Sequence, residues 1–404
     1  GTHQCFQGGV TMANTPNIRF KGFTDDWEQR KLNEIALFNP KEELPDEFEY
    51  VDLESVVGTE MLSHRTETKQ SAPSRAQRLA RTGDLFYQTV RPYQKNNYLF
   101  EKLDKHYVFS TGYAQLRPLV DGYFLLGLVQ SECFVKVVLD NCTGTSYPAI
   151  NANDLANIEV HFPTNSEEQQ QIGDYFRNLD HFITLYQRKS DEMKQLKKFM
   201  LQKMFPKSGD LIPEIRFAGF TDHWEQRKLG EIADKVTTKN VSTQYVETFT
   251  NSAEFGIISQ RDFFDHNVSN IENIDGYYVV EDDTFVYNPR ISTSAPVGPI
   301  NRNKLGRTGV MSPLYTVFKP HDSDSEYLEW FFKSSHWHSF MYFNGDTGAR
   351  SDRFSIKDTV FFEMPIPIPN IDEQRKIGKY LMQLDFLITL HQRKCDDLKE
   401  VKRF

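Results

Sequence analysis

The chain of 404 residues is long enough for two or three domains with hydrophobic cores of their own. Its 39% hydrophobic and 13% aromatic content is typical of a folded protein, and no apolar run approaches the roughly 20 residues that cross a bilayer. The net charge of −9 argues against a uniformly basic protein, and the four cysteines show no metal-ligand spacing, which favours a reducing, cytoplasmic setting.

The first recognisable segment is a head that occurs twice in the chain. Residues 16–36 return as residues 213–233 with 17 of 21 positions identical. Residues 1–15 lack the basic start and apolar middle of a signal peptide, so we interpret them as a leader or an expression remnant, with Met12 as the expected natural start. A repeat of this period indicates one architecture used twice and excludes a solenoid, which needs short periods.

Two middle segments, residues 37–163 and 234–366, follow the heads and barely resemble each other. Both contain short apolar or β-branched runs separated by Gly, Pro, Asn and Asp, a pattern that predicts strands. The predicted strands include residues 123–129, 134–139, 277–280, 316–318 and 360–362, and a helix is expected around residues 324–340. Each middle is therefore predicted to be a compact α+β domain.

A long helix is predicted after each middle, at residues 168–205 and 373–404. Aligning residues 167–199 with 372–404 leaves 17 of 33 positions identical, and Asn165 and Asn370 are the expected N-caps. Apolar residues alternate at spacings of three and four, as in the seam of a coiled coil. The residues predicted to pack the two helices together are Ile172, Leu179, Ile183, Tyr186, Met193, Leu196, Ile377, Leu384, Ile388, His391, Leu398 and Val401.

This spacing favours an antiparallel pair of helices over the alternative, an ordinary long core helix. The predicted fold class is α+β, with two pseudo-repeated units that each consist of a globular α+β domain followed by a long helix. The predicted domains are residues 16–163, with the head at 16–36, and residues 213–369, with the head at 213–233. Residues 164–212 contain the first long helix and a linker, and residues 370–404 contain the second helix.

The sequence lacks the motifs of common enzyme classes. It contains no Gly-x-x-x-x-Gly-Lys-Ser/Thr phosphate loop, no Gly-x-Gly-x-x-Gly and no His-Glu-x-x-His. Residues 288–290, Asn-Pro-Arg, are partly similar to the Asn-Pro-Pro-Tyr of adenine methyltransferases, but the second proline and the aromatic residue are missing. His336 and His338 lie two apart in a predicted helix and so do not share a face. We therefore expect neither a catalytic nor a metal site.

Charge is distributed unevenly in both middles. Residues 41–64 contain eight acidic residues against one lysine, whereas residues 65–105 contain nine basic residues against four acidic ones. Residues 284–321 contain five basic residues and no acidic one. Both basic stretches are mixed with Asn, Gln, Ser, Thr and Tyr, a composition that suits contacts with phosphates and base edges. A solvated basic surface is the alternative for either stretch alone.

The residues predicted to contact DNA come from these stretches and from a loop at residues 345–353, which has two arginines before a predicted strand. They are Arg75, Arg78, Arg81, Gln88, Arg91, Lys95, Arg290, Arg302, Lys304, Arg307, Arg350 and Arg353. Arginines on a flexible loop suit contact with guanine, although a plain connecting turn explains this loop equally well.

Two repeated motifs together resemble the specificity subunit of type I restriction–modification systems: the Ile-Arg-Phe-x-Gly-Phe-Thr-Asp-x-Trp-Glu-Gln-Arg-Lys-Leu head and the Glu-Gln-x-x-Ile-Gly…Leu-Asp…Ile…Gln-Arg-Lys helix. The resemblance covers residues 16–404. It implies that each variable domain is a target recognition domain, which reads one half of a split, asymmetric site in double-stranded DNA. It also implies an antiparallel coiled coil that sets the gap between half-sites and docks two modification (methyltransferase) subunits.

The same resemblance implies that this chain is not itself an enzyme. S-adenosylmethionine is expected on the modification subunits, restriction (motor–nuclease) subunits join them in the full complex, and no cofactor or membrane is expected for this chain. One departure is visible, since nothing after Phe404, the counterpart of Phe199, matches residues 200–205. Two other functions remain open: a coiled-coil scaffold that joins two protein-binding domains without a DNA role, and a self-sufficient methyltransferase.

Overall fold

The computed structural model of the chain describes residues 16, 18–144, 146–207, 209–264, 274–347 and 352–403. The chain divides into two compact units. Unit 1 extends to Tyr186 and takes in the chain again from Lys394 onward, and unit 2 runs from Gln187 to Arg393. Each of the two long helices therefore contributes residues to both units.

The elements of unit 1 run from the head to the first long helix, which continues into unit 2. They are β1 (Glu28–Lys31), α1 (Leu32–Ile35), β2 (Ala36–Phe38), β3 (Glu47–Val51), β4 (Val56–Val57), β5 (Glu60–Met61), β6 (Arg65–Thr68), β7 (Ala76–Leu79), β8 (Leu85–Gln88), β9 (Tyr98–Leu99), β10 (Tyr107–Ser110), β11 (Tyr113–Pro118), α2 (Gly122–Gln130), α3 (Glu132–Asp140), α4 (Ala152–Ala156), β12 (Glu159–Phe162) and α5 (Ser166–Lys203), with a 3₁₀ turn at Pro92–Gln94.

Within the described part of unit 1, β1 of the head pairs antiparallel with β12, the strand that immediately precedes α5. An inner sheet has the strand order β2-β11-β8-β9, and an outer sheet has the order β6-β3-β10-β7, in which β3 and β10 are parallel. β4 and β5 form a short hairpin. The main core combines side chains of the inner sheet with those of α2, α3 and α4, including Leu85, Leu116, Leu125, Val138 and Leu155.

The elements of unit 2 run from the second head to the second long helix. They are β13 (Glu225–Lys228), β14 (Ala233–Lys235), β15 (Phe249–Ser252), β16 (Gly256–Ser259), α6 (Gln260–Phe264), β17 (Tyr278–Val280), β18 (Phe285–Tyr287), β19 (Ile300–Arg302), β20 (Gly309–Met311), β21 (Thr316–Pro320), α7 (Ser325–Lys333), α8 (His338–Asn344), α9 (Asp358–Phe361), β22 (Pro365–Ile368) and α10 (Ile371–Arg403), with 3₁₀ turns at Leu229–Glu231 and Val241–Thr243.

The two units share an inner framework and differ outside it. β13 pairs with β22 as β1 pairs with β12, and the sheet β14-β21-β18-β19 corresponds to β2-β11-β8-β9. Where unit 1 has its outer sheet, the described residues of unit 2 form two separate pairs, β15 with β16 and β17 with β20. The predicted α+β class with two pseudo-repeated units is confirmed, and the middles resemble each other weakly because their outer parts differ.

Some predicted strands are confirmed and others are wrong. Residues 277–280 contain β17, and residues 316–318 lie in β21. The runs at residues 123–129, 134–139 and 360–362 lie instead in α2, in α3 and at the end of α9. The helical region expected around residues 324–340 contains α7 and the start of α8.

α2 and α3 are helices because a side chain caps the start of each. Asp121 accepts the backbone N–H of Phe124 at 2.8 Å, and Ser131 accepts that of Phe134 at 3.2 Å. The apolar run of α2 is too continuous for a period that distinguishes helix from strand, whereas α3 buries Phe134, Val135 and Val138 and exposes Glu132, Lys136 and Asp140 at helical spacing. In the part of the chain that the structure describes, no single helix is long and apolar enough to span a membrane, and only the bent pair α2 and α3 passes that test together, by length and composition.

The long helices α5 and α10 have 38 and 33 residues. Both begin at the predicted N-caps. Asn165 Oδ1 accepts the N–H of Glu167 at 2.8 Å, and Asn370 Oδ1 accepts that of Glu373 at 3.0 Å. A side-chain acceptor at this position satisfies backbone donors that have no partner inside the helix.

Within each unit, a segment of α5 lies against a segment of α10. In unit 1, Lys402 forms an ion pair with Asp180. In unit 2, Lys197 forms an ion pair with Asp385. As the residue number in α5 rises, that of its partner in α10 falls, so the helices form the predicted antiparallel coiled coil. The two ion pairs are also equivalent in the repeat, since Asp180 corresponds to Asp385 and Lys197 to Lys402.

The residues predicted to pack the helices together occupy several environments. Met193 and Leu196 pack against the cluster of unit 2 that contains Leu384, and Leu179 is buried in unit 1. Ile172 and Ile377 lie against the cores of the globular domains. The others are half-buried or, for Val401, exposed: Ile183, Tyr186, Ile388, His391, Leu398 and Val401. In the sequence of α5, Lys189 falls at a position where the apolar spacing calls for an apolar residue. The next residue, Ser190, and its equivalent Cys395 are both fully buried.

Candidate nucleic-acid interface

A buried ion pair joins the head of unit 1 to the start of α5. Arg19 Nε and Nη2 donate to the two carboxylate oxygens of Glu168 at 2.5 and 2.7 Å, and Trp27 Nε1 donates to one of them at 3.3 Å. The Glu168 side chain is only 1% exposed. Because the planar guanidinium contacts both oxygens, the hydrogen bonds raise the pKa of Arg19 above its ordinary value. The head is thereby fixed to the helix that follows the domain.

Unit 2 contains the same ion pair between Arg216 and Glu373. Arg216 Nε and Nη2 donate to the Glu373 carboxylate at 2.6 and 2.8 Å. The residues involved occupy equivalent positions in the repeated head and the repeated helix. Because both units contain this ion pair, the arginine is repeated in the two heads and the glutamate is repeated in the two long helices. The two motifs lie far apart in the sequence, and this one contact accounts for identities in both.

The glutamine that follows each of these glutamates contacts a helix of the globular domain. Gln169 accepts the N–H of Asp121, the N-cap of α2, at 3.2 Å, and donates to the Pro163 carbonyl at 2.7 Å. Gln374 accepts the N–H of Asp324, the N-cap of α7, at 2.9 Å. Both glutamines thus hold the start of an equivalent domain helix against the long helix.

A glycine four residues further on allows the close approach. A Cβ on Gly173 would lie 2.2 Å from Asp121 Oδ1, and a Cβ on Gly378 would lie 3.1 Å from the backbone nitrogen of Tyr327. We call these groups the domain clamps: Arg19, Glu168, Gln169 and Gly173 in unit 1, and Arg216, Glu373, Gln374 and Gly378 in unit 2. From the sequence, these residues were visible only as identities between the two repeats. That repetition was the one signal that could have identified them.

The acidic stretch of unit 1 neutralises part of the basic stretch that follows it. Glu42 binds Arg81 at 2.9 Å, and Glu49 binds Lys105 at 2.5 Å. The hydrogen bond from Lys105, together with those from His64 and Thr66, lowers the pKa of Glu49 to about 2. Acidic residues of the first stretch and basic residues of the second therefore form ion pairs with each other within the unit, and the two stretches do not act as separate charged surfaces.

Two more residues predicted to contact DNA have internal partners in unit 1. Lys95 binds Glu132 at 2.6 Å. Gln88 is 3% exposed, and its amide donates to the Val90 carbonyl at 2.6 Å. Because Lys95 is paired with a carboxylate and Gln88 is buried, we leave these two residues and Arg81 out of the candidate interface.

In unit 2, three residues of the basic stretch are bound to carboxylates. Arg302 and Lys304 lie 2.9 and 3.2 Å from the buried carboxylate of Glu329. Arg307 forms two hydrogen bonds of 2.8 Å with Glu247. We leave these three residues out of the candidate interface for the same reason.

The predicted arginines that remain are Arg75, Arg78, Arg91, Arg290 and Arg353. Among the described residues, the only carboxylate within 4.0 Å of any of them is that of Asp352, at 4.0 Å from Arg290. Arg78 Nε is buried with no described hydrogen-bond partner, and burial lowers the pKa of Arg78. Arg350 lies outside the described residues.

A short bridge in unit 1 joins the segment after β8 to the loop after α3. The Arg91 N–H donates to the Pro148 carbonyl at 2.8 Å, and the Ile150 N–H donates to the Thr89 carbonyl at 3.0 Å. The Arg91 guanidinium lies 4.5 Å from the ring centroid of the exposed Tyr147, a contact that orients it. Arg91 has a left-handed backbone with a φ of 53°. Side-chain-bearing residues in this conformation are uncommon and cluster at ligand-binding sites.

The equivalent bridge in unit 2 joins the segment after β18 to the loop after α8. The Ile291 N–H donates to the Asp352 carbonyl at 3.0 Å, and the Phe354 N–H donates to the Pro289 carbonyl at 2.7 Å. Arg290 lies one residue before Ile291. We call the two bridges the strand–loop junctions; they consist of residues 89–91 with 148–150 in unit 1 and of residues 289–291 with 352–354 in unit 2.

The strand–loop junctions contain three of the remaining arginines: Arg91 in unit 1, and Arg290 and Arg353 in unit 2. Guanidinium groups donate to phosphate oxygens and to the acceptors of base edges, so both junctions suit contact with a nucleic acid. Sequence reasoning found these arginines by their charge. It missed the junctions, because the loops that complete them share few residues.

Comparison with known proteins identifies the family. A family model described as the type I restriction modification DNA specificity domain matches residues 24–195 and, in a second copy, residues 221–400. The chain belongs to this family. It is a DNA-recognition subunit with two target recognition domains, one in each pseudo-repeat.

Individual relatives agree with this assignment. The type I restriction enzyme MjaVIII specificity subunit of Methanocaldococcus jannaschii is 22% identical over 305 residues, which cover 70% of this chain and 68% of that protein. The putative MjaX specificity subunit of the same organism is 24% identical over 312 residues, which cover 71% of this chain and 68% of that protein.

Solved structures of type I systems share the fold of this specificity subunit. The S subunit from M. genitalium superimposes with a TM-score of 0.59 at 15% identity and covers 96% of both chains. A chain from a structure that describes complex assembly and conformational transition of a type I system gives a TM-score of 0.52 at 22% identity, with 96% of this chain and 97% of that chain covered. The domain clamps and the strand–loop junctions of this chain are therefore built on a fold that it shares with these structures.

Proposed function

We propose that each target recognition domain reads one half of a bipartite, asymmetric site in double-stranded DNA. The strand–loop junction is the observation that supports this most directly. Two equivalent backbone hydrogen bonds form it in each unit, and among the described residues its arginines have no carboxylate closer than 4.0 Å. Because the side chains at the two junctions differ while these hydrogen bonds are kept, the junctions suit recognition of different bases by one architecture.

The coiled coil is the proposed spacer between the half-sites. α5 has 38 residues and, at ~1.5 Å per residue, a length of about 57 Å. Half-sites one DNA turn apart are separated by about 34 Å, so a helix pair of this length is sufficient at that scale. The domain clamps support this role, since each fixes a recognition domain to the first turns of one long helix.

The long helices are also the proposed docking surface for two modification (methyltransferase) subunits. Large apolar side chains are exposed on them, among them Tyr175 and Phe182 in unit 1 and Met382 and Phe386 in unit 2. Spacings of seven and four place each pair on one face of its helix. Exposed apolar faces of this kind favour burial against a partner.

The chemistry of modification and cleavage is assigned to partner subunits in this proposal. The modification subunits bind S-adenosylmethionine, and restriction (motor–nuclease) subunits complete the assembly. This chain is then the non-catalytic subunit of a cytoplasmic complex and needs no cofactor of its own.

The salt dependence of DNA binding tests the proposal. The affinity of the full chain for duplex DNA should fall by orders of magnitude between about 50 and 200 mM salt, because bound cations are released from the phosphates. Arg91→Ala and Arg290→Ala should each weaken binding several-fold. Arg30→Ala is the matched control, since this exposed arginine is paired with Glu28 and lies outside both junctions.

The alternatives predict different results. Unchanged affinity in both junction variants would contradict the assignment of the junctions to DNA. Absence of duplex binding at any salt concentration would favour a coiled-coil scaffold that joins two protein-binding domains. A self-sufficient methyltransferase would bind S-adenosylmethionine as the isolated chain, which calorimetry measures.

A further inference from the structure

We propose that Arg290 and Arg353 together read guanine at neighbouring base pairs in the half-site of unit 2. This inference rests on the proposed function and names the bases that the unit 2 junction recognises. It assigns both arginines to base edges in the major groove instead of to phosphates.

The backbone places the two arginine side chains next to each other. Arg290 and Arg353 are directly opposite in an antiparallel bridge, and the hydrogen bonds of the strand–loop junction flank this pair instead of joining it. In such a non-hydrogen-bonded pair the Cα atoms are about 4.5 Å apart, and both side chains project from the same face. Since neighbouring base pairs are about 3.4 Å apart, the spacing suits two successive base pairs.

The two guanidinium groups have little to balance their charge within the unit. The Arg290 side chain is 72% exposed, and the nearest described carboxylate, that of Asp352, is 4.0 Å away and itself 53% exposed. Arginine remains protonated in proteins, and like charges directly opposite each other destabilise a strand pair. An electronegative ligand that both arginines contact would relieve this repulsion.

A chain of buried amides fixes the position of Arg290. Asn288 Oδ1 accepts the Arg290 N–H at 3.0 Å, and Asn288 Nδ2 donates to the Asn251 carbonyl at 2.8 Å. Asn301 Nδ2 in turn donates to Asn251 Oδ1 at 2.7 Å, and Asn251 is 2% exposed. Recognition of a base edge requires donors held within about 0.5 Å of the productive geometry, whereas phosphate contacts carry no sequence information. The network fixes the backbone from which the Arg290 side chain projects, and a fixed starting point suits contact with a base edge.

Unit 1 has different side chains at the equivalent place. Val90 and Ala149 are opposite each other there, flanked by the equivalent two hydrogen bonds. Both recognition domains must hold the DNA backbone, but each must read different bases. A position that keeps its backbone and changes from two arginines to two apolar residues fits the second requirement.

Guanine is the base that matches an arginine at this position. In the major groove it presents two acceptors, O6 and N7, which two parallel N–H groups of one guanidinium contact together. Adenine presents an amino donor beside N7, and a guanidinium has no acceptor to pair with that donor. The major groove also admits a two-stranded ribbon of backbone. Each arginine thus takes one guanine.

Selection from random duplex DNA tests the assignment. The complex that contains the full chain is incubated with the library, and bound duplexes are sequenced for wild type, Arg290→Lys, Arg353→Lys and a control, Arg307→Lys. Arg307 lies in the same unit but is paired with Glu247. Wild type and control should select guanine at two neighbouring positions of one half-site.

Each lysine variant at the junction should lose the guanine preference at one of these positions by about tenfold, because lysine keeps the charge but loses the bidentate geometry. Affinity for duplexes that lack the selected site should stay within about threefold of wild type, since the charge is retained. Replacing the selected guanines with 7-deazaguanine, which lacks the N7 acceptor, should weaken wild-type binding by about tenfold.

Several results would overturn the inference, and they are distinguishable. If Arg290→Ala and Arg353→Ala weaken binding to every duplex without changing the selected sequence, the pair contacts phosphates. A wild-type half-site without guanine overturns the inference and leaves the proposed function intact. Selection of no sequence by the wild-type complex overturns both.

Discussion

Gly173 marks the closest approach between α5 and the globular domain in unit 1. A Cβ at this position would lie 2.2 Å from Asp121 Oδ1 and 3.0 Å from the backbone nitrogen of Phe124, so the N-cap of α2 occupies the space of a side chain. At Gly378, by contrast, the nearest atoms would be 3.1 Å away. The two glycines belong to the same motif but are under unequal constraint.

Replacing Gly173 with alanine should destabilise unit 1 even though alanine is the better helix former. Helix propensity favours alanine by about 1 kcal/mol, but overpacking costs about 1–3 kcal/mol and a displaced Asp121 costs about 1 kcal/mol more as a lost cap. We expect a net loss of about 1–3 kcal/mol, measured by urea denaturation.

Two further glycines calibrate this measurement. Gly378→Ala should be close to neutral, because its neighbours need to shift by only a few tenths of an ångström. Gly276→Ala is the control for backbone effects, since a Cβ there meets nothing within 4 Å. If Gly173→Ala is no less stable than these two variants, α2 does not depend on close contact with α5.

Glu49 should make unit 1 sensitive to acid. The pKa of this carboxyl in the folded state is about 2, below its ordinary value of 4.5, because Lys105, His64 and Thr66 donate to it. The unfolded chain therefore binds the proton more readily, so the stabilisation is fully present above about pH 5 and is lost as the pH falls toward 2. Glu49→Gln should lower the free energy of unfolding by about 1–3 kcal/mol at pH 7. In thermal denaturation, the stability of this variant should fall less steeply than that of wild type as the pH decreases from 5 to 2.

Glu214 provides a comparison for the acid response. Lys203 and Lys207 also lower its pKa to about 2, but its side chain is 42% exposed, so solvent screens the interaction. Glu214→Gln should therefore change the loss of stability at acidic pH much less than Glu49→Gln does. Parallel loss of stability in wild type and Glu49→Gln on acidification would show that other groups control the acid response.

At the scale of elements, α5 and α10 are the parts of the fold that their own residues specify best. Their apolar spacing persists over 38 and 33 residues, and each helix begins at an asparagine cap, so both were predictable. α2 and α3 have nine residues each, and the apolar run of α2 offered no period to identify it. In α3 the spacing of Glu132, Lys136 and Asp140 is helical, and the strand prediction did not use it. Their helical state depends on caps and on burial, which local sequence indicates weakly.

The coiled coil gives an element-scale prediction about the DNA gap. Deleting residues 187–193 together with 392–398 removes one heptad from each helix at equivalent positions and shortens the pair by about 10 Å. We expect a shorter gap between half-sites, or loss of assembly, as determined by sequencing methylated adenines. An intact complex with a shortened coil and an unaltered gap would refute the role of the coil as spacer.

A deletion that breaks the seam is the control for this prediction. Removing four residues instead of seven from each helix changes the phase of the apolar stripe. Such a variant should lose stability whatever the gap does, because Leu179 and Leu384 would leave their buried positions.

At the scale of the whole molecule, charge shows most clearly what a sequence conveys and what it does not. Counting charges along the sequence found the basic stretches and, within them, Arg91 and Arg290, whereas Arg353 was predicted from the loop at residues 345–353. It did not show that Arg81, Arg302 and Arg307 are bound to carboxylates, because their partners Glu42, Glu329 and Glu247 lie between 27 and 60 residues away. The domain clamps were invisible for the same reason, since Arg19 and Glu168 are 149 residues apart.

The most direct test of the account is a map of methylated adenines in cells that carry the complete system. One strain has the wild-type chain, and the other has residues 37–163 replaced by the corresponding middle of another family member. If the two domains read their half-sites independently, one half of the methylated site changes while the other half and the gap stay the same. A change in both halves, or in neither, would contradict the account.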